Sequence, residues 1–107
     1  MKKRKAILVT FSIKSESFSC DYERNKFFRQ LYGWKQIIRK REKKYVYCRE
    51  GILTRIPHIK VDKSVFIVAE RHFKQIERFL QEWEDKVMWE AFEVLLDREK
   101  LKLLEEV

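Results

Sequence analysis

The chain has 107 residues, 45% of them hydrophobic and 14% aromatic, which is enough apolar surface for one packed core and too little length for two. That composition argues against a disordered polypeptide and against several domains, so residues 1–107 are read as a single basic α+β domain. The net charge is +8, and no apolar run approaches the ~20 residues that span a bilayer.

Met1-Lys2-Lys3-Arg4-Lys5 leads into only a short apolar stretch, Ala6 to Ile13, too short for a secretory leader with its cleavage site. Ile7, Val9, Phe11 and Ile13 alternate there, which predicts a strand. A cytoplasmic protein is expected, with Cys20 and Cys48 as reduced, partly buried thiols.

Lys14 to Cys20 is Ser-rich and aperiodic, a loop in which Ser19 or Asp21 could cap the next element. From Tyr22 to Tyr32, Phe27, Phe28, Leu31 and Tyr32 recur at helical spacing, and Gly33 stands where a left-handed residue would end the helix. Trp34 to Arg41 and Lys44 to Arg49 read as two strands joined by a charged turn near Glu42-Lys43.

Pro57 confines Ile52 to Val61 to an edge strand or a loop, because proline cannot donate to a ladder. Ser64 to Ala69 is apolar on both faces, as a central strand would be. Phe73, Ile76, Phe79, Leu80 and Trp83 predict an amphipathic helix over His72 to Trp83.

Val87 to Leu96 reads as a last strand, although Met, Glu, Ala and Leu would also suit a continued helix. A short polar helix from Arg98 to Glu106 follows. The simplest architecture for this order is a ferredoxin-like antiparallel sheet with two helices on one face and a short helical tail.

Charge is unevenly placed. Residues 1–63 carry 18 Lys and Arg against 6 Asp and Glu, whereas residues 64–107 carry 7 against 11. Clustered cations attract polyanions and release the counterions condensed on them, so the basic half points to nucleic acid, DNA or RNA. A solvated, solubilising surface is the plain alternative.

The sharpest cluster is Tyr32 to Arg55, where Trp34, Tyr45 and Tyr47 interleave with Lys35, Arg39, Lys40, Arg41, Lys43, Lys44 and Arg49. Cations there could meet phosphates while the rings stack on exposed bases. The same tyrosines could instead fill a core, with the lysines guarding a sheet edge. Arg24, Lys26 and Arg29 on the first helix could extend the basic surface.

Cys20, Cys48, His58 and His72 match no compact zinc-ligand spacing, and nothing in the sequence implies a cofactor. Catalysis is not required by any motif. A metal-dependent nuclease would need gathered carboxylates, and the basic half offers only Glu16, Asp21, Glu23, Glu42, Glu50 and Asp62. A protein-interaction scaffold is the third reading, supported by Phe73, Ile76, Leu80, Trp83 and Val87, which are spaced like a short heptad seam. The Lys- and Glu-rich composition with one asparagine, Asn25, is similar to that of proteins from hot environments.

The pattern Arg24-x-x-Phe27-Phe28-x-x-Leu31-Tyr32-Gly33-Trp34, followed by a basic strand pair and Ser64-Val65-Phe66-Ile67-Val68, resembles the small CRISPR-associated adaptation subunit. It also resembles the related C-terminal domain of phenylacetate-type transcriptional repressors, over roughly residues 6–96. The resemblance implies a ferredoxin-like fold, a homodimer built across sheet edges, and a role in holding duplex DNA or, in some relatives, cleaving nucleic acid. That CRISPR family commonly ends its first strand on a metal-site aspartate. Phe11-Ser12-Ile13 stands here instead, so the resemblance implies binding without catalysis.

Overall fold

Alternation along the first strand gives it two different faces, and the whole architecture is organised around them. In the computed structural model, which describes residues 4–105, β1 spans Arg4–Ile13 and lies between two antiparallel neighbours. On one side is β5 (Val65–Ala69), with Val9 opposite Phe66 and Ile7 opposite Val68. On the other is β6 (Val87–Leu96), with Phe11 opposite Trp89 and Ile13 opposite Val87. A short β4 (His58–Asp62) pairs antiparallel with β5, giving the strand order β4-β5-β1-β6.

Two helices cover the face that carries Ile7, Val9, Phe11, Phe66 and Val68. They are α1 (Asp21–Tyr32), which contributes Phe27 and Leu31, and α2 (Phe73–Glu82), which contributes Ile76, Phe79 and Leu80. Phe27 is fully buried at their junction, stacked on Phe79 and edge-on to Phe11, Phe28 and Trp83. Each fully buried side chain of this size contributes roughly 1.5–3 kcal/mol, so this aromatic cluster, with the buried aliphatic residues around it, supplies much of the hydrophobic driving force. The fold is α+β, as the order of elements predicts.

The opposite face is only partly covered. Helix α3 (Arg98–Leu104) lays Leu104 and Leu101 against Ala6, Ile67 and Leu96, and its N-cap Asp97 accepts a hydrogen bond from the backbone of Lys100. Further along β6, Met88 and Phe92 stay exposed. The expected tail helix thus ends at Leu104, and Glu106 lies outside the described residues, as do Met1 to Lys3.

Several expectations change. Trp34–Lys40 (β2) and Lys43–Arg49 (β3) do form two strands, but they pair only with each other, as a separate two-stranded sheet inserted between α1 and β4. Their turn is Arg41-Glu42 rather than Glu42-Lys43. Neither Ser19 nor Asp21 caps α1: the N-cap is Cys20, without a side-chain bond, and Glu23 reaches back to accept from the Ser19 backbone and hydroxyl.

Cys20 and Cys48 are exposed rather than partly buried. The heptad-like spacing of α2 is used up internally, since Ile76, Leu80 and Val87 are buried in the chain's own core and Phe73 and Trp83 pack on it. No helix among the described residues is long and apolar enough to cross a membrane.

Candidate nucleic-acid interface

A pair of strands with no other sheet neighbour needs a firm root, and two glycines supply it. Gly33 ends α1 at a φ of 76° and donates its N–H to the Arg29 carbonyl, which turns the chain directly into β2. At the other end of the hairpin, Gly51 is buried against it, and its N–H reaches the Thr54 hydroxyl at 3.0 Å. Ile52 then donates to the Gln30 carbonyl at 2.9 Å, tying the exit strand to α1.

From this root the hairpin stands away from the body. The Cα radius of gyration is 16.2 Å and the molecule measures 57 × 36 × 20 Å, against a radius of ~13 Å for a compact domain of about 100 residues. Every residue of β3 is exposed. Arg41 opens the turn at a φ of 59°, a left-handed conformation of the kind that two-residue hairpin turns use.

Register sorts the side chains. Residues directly opposite share a face, so Trp34, Gln36, Ile38 and Lys40 on β2 lie with Lys43, Tyr45, Tyr47 and Arg49 on β3. All three aromatics of the sequence cluster therefore lie on one side. The reverse side carries Lys35, Ile37 and Arg39 with Lys44, Val46 and Cys48. Ile37, Ile38, Tyr45, Val46 and Tyr47 are 40–53% exposed, so neither side packs into a core.

The aromatic side is pre-arranged. Arg49 donates through Nε and Nη2 to the Gln36 side-chain oxygen, at 3.3 and 3.1 Å, and its guanidinium lies 6.0 Å from the Tyr47 ring centre. At the root, Arg29 sits 4.4 Å over the half-buried Trp34 ring. Lys26 joins Arg29 and Trp34 around a shallow groove between α1 and the hairpin, which Glu50 also lines, whereas Arg24 is half-buried and not among its walls. Tyr45, Tyr47, Arg29, Trp34 and Lys26 are thus gathered into one strip, and Arg24 stands apart from it.

The cations are not neutralised by the chain's own carboxylates. Glu42 is the only acidic residue of the hairpin, and among the described residues the ion pairs lie elsewhere: Lys5–Glu93, Arg55–Glu50, Lys86–Glu23 and Lys100–Asp97. Seven Lys and Arg against one Glu leave Trp34 to Arg49 at a net of +6.

Sequence reasoning missed Lys60, on β4, and Lys63, in the β4–β5 turn, which lie against the Tyr32 and Phe28 rings beside the root. Their spacing from the hairpin in sequence gave no sign of this proximity. Among the described residues no three His, Cys, Asp or Glu gather as a metal site. No family model, curated protein or solved structure matches the chain.

Proposed function

We propose that the protein is a nucleic-acid-binding module whose contact element is the Trp34–Arg49 hairpin, with Lys26 and Arg29 at its root. The observation that carries this reading is the exposure, on one strand pair, of seven cations and the Tyr45 and Tyr47 rings without a core or a carboxylate to occupy them. A two-stranded hairpin alone is marginally stable in water, so an element of this kind with apolar centres on both sides is suited to being covered by a partner. Its charge selects a polyanion, and a β-ribbon has the dimensions to follow a nucleic-acid groove or backbone.

Fluorescence anisotropy with labelled single-stranded and duplex DNA and RNA, at two salt concentrations, tests the reading. Affinity falls steeply with salt, and Lys40→Gln/Lys43→Gln/Lys44→Gln reduces the log–log salt slope by about 3. Lack of binding to every oligonucleotide at low salt removes the proposal.

The module works as a homodimer in this reading. Support comes from β6, a ten-residue edge strand without proline or lysine, whose only charges are Glu90 and Glu93 and whose own Met88 and Phe92 are exposed. An edge of that length is normally paired or guarded. The ferredoxin-like relation suggested by the sequence is supported by the order β4-β5-β1-β6 once the hairpin is set aside. Free surface thiols at Cys20 and Cys48 suit a reducing compartment such as the cytoplasm. Light scattering at micromolar concentration gives twice the chain mass, and a monomer there rejects the dimer.

A further inference from the structure

Beside the hairpin root, on the body of the protein, a groove of about 700 Å³ runs between α1 and the edge strand β4. Its walls are Asn25, Phe28, Arg29 and Tyr32 from α1, then Lys60 to Lys63 from β4 and the following turn. We propose that this groove is a second contact site that grips a phosphodiester backbone continuing past the hairpin. The inference rests on the nucleic-acid reading above and adds to it Lys60 and Lys63, on a different part of the fold, with Arg29 shared between the two sites.

Three cations are held here on ring faces. Lys60 Nζ lies 4.4 Å from the Tyr32 ring centre, Lys63 Nζ 5.3 Å from that of Phe28, and Arg29 Cζ 4.4 Å from that of Trp34. A ring fixes the position of a cation without cancelling its charge, so each still has donors for an incoming phosphate. That differs from Lys86, whose ammonium is spent on Glu23. Long side chains already held in place also lose less freedom on binding.

The backbone shows how the lysines come to face the groove. The β4–β5 register shifts between Lys60 and Asp62, which sets Lys60 opposite Phe66 and Asp62 opposite Val65. Such bulges at sheet edges re-aim side chains. Tyr32 donates its hydroxyl to the Lys63 carbonyl and thereby fastens the turn to α1. The one carboxylate present, Asp62, accepts from the Lys63 backbone N–H at 2.7 Å, so it shapes the turn and leaves three cations against one acid.

Guarding the β4 edge against another strand would also place lysines here. The two roles differ in what they do to binding. Lys60→Gln/Lys63→Gln is compared with the wild type by anisotropy on an oligonucleotide long enough to pass both the hairpin and the groove. The salt slope falls by about 2 and low-salt affinity drops roughly tenfold or more, with an unchanged thermal melt. Wild-type slope and affinity in the variant overturn the inference while leaving the hairpin reading intact. Absence of binding by the wild type removes both.

A second measurement needs no variant. Bound oligonucleotide protects Lys60 and Lys63 from acetylation by an N-hydroxysuccinimide ester, while Lys74 on α2 remains as reactive as in the free protein. Unprotected Lys60 and Lys63 in the bound state reject the inference. Inorganic phosphate at matched ionic strength gives no such protection; equal protection by it would assign the groove to a small phosphate and overturn the backbone assignment.

Discussion

Gly33 and Gly51 stand against each other where the hairpin leaves the body, so closely that a Cβ on Gly51 would lie 2.2 Å from the Gly33 nitrogen. A Cβ on Gly33 would meet the Arg49 carbonyl oxygen at 2.6 Å, and its φ of 76° is strained for any L side chain. The atoms in the way are backbone, so neither position can relax by moving a side chain.

Gly51→Ala therefore destabilises the protein by about 2 kcal/mol or more, in the upper part of the range for overpacked sites. For a domain of this size that lowers the melting temperature by roughly 8–16 °C. A circular-dichroism melt within 2 °C of the wild type would show that the two backbones are not in this contact.

Arg41 sits at a φ of 59° at the hairpin tip, a conformation that costs an L residue about 1–2 kcal/mol and glycine nothing. Glycine in turn loses more freedom on folding, by about 0.5–1 kcal/mol. The two effects nearly cancel, so Arg41→Gly leaves the melt within a few degrees of the wild type. Binding shows the change instead: one fewer cation lowers the salt slope by about 1. A variant with the wild-type slope would place the tip outside the contact.

Tyr45 and Tyr47 are 42% and 47% exposed, and surface substitutions of this kind usually change stability by no more than about 0.5 kcal/mol. Tyr45→Ser/Tyr47→Ser is expected to melt like the wild type. If the rings stack on bases, single-strand affinity falls by about 1–3 kcal/mol for each stack lost. Unchanged affinity would restrict the hairpin to phosphate contacts.

Lys86 donates to Glu23, and this hydrogen bond, ahead of the opposing desolvation and the Ser19 contacts, holds the Glu23 carboxyl below the usual carboxylate range. A carboxyl with a folded-state value below its unfolded one adds stability at pH above about 4.5, and that stability is lost as pH falls through the folded value. Glu23→Gln consequently flattens the acid limb of the stability profile and lowers stability at neutral pH. An acid limb identical in both proteins, followed by urea titration, would refute the assignment.

Phe27 touches Phe11, Phe28, Phe79 and Trp83 and has no exposed surface. Phe27→Ala leaves a cavity at the junction of both helices with the sheet, costing about 3–5 kcal/mol. That is a large part of the total stability of a domain this size. Loss of the cooperative urea transition, or its midpoint moving far down, is the expected result.

The body of the fold was legible because its residues obey one period at a time. Ile7, Val9 and Phe11 alternate, Ile76, Phe79 and Leu80 recur at three and four, and each set meets the other across a single core. Val87 to Leu96 was ambiguous by propensity, and pairing along all of β1 decides it as strand.

The hairpin's two strands are visible in local pattern, but their separation from the four-stranded sheet is not. Ile37 and Val46 on one side and Ile38 and Tyr45 on the other are what a doubly covered strand would carry, and local pattern cannot show that no layer covers either side. The turn lies one residue earlier than expected, which makes Tyr45 rather than Tyr47 the partner of Ile38 while leaving the side assignments intact. Lys60 and Lys63 were illegible, since only the return of β4 past α1 brings them to Tyr32 and Phe28.

The close meeting of Gly33 and Gly51 means that the polypeptide departs from the body and returns to it at nearly one point. Everything between could be excised and the ends rejoined through a single short linkage, with the aromatic nucleus, both long helices and all four body strands untouched. The arm and the core are therefore separable inheritances in this chain: the arm can be lengthened, recharged or exchanged by mutation without renegotiating the scaffold that carries it.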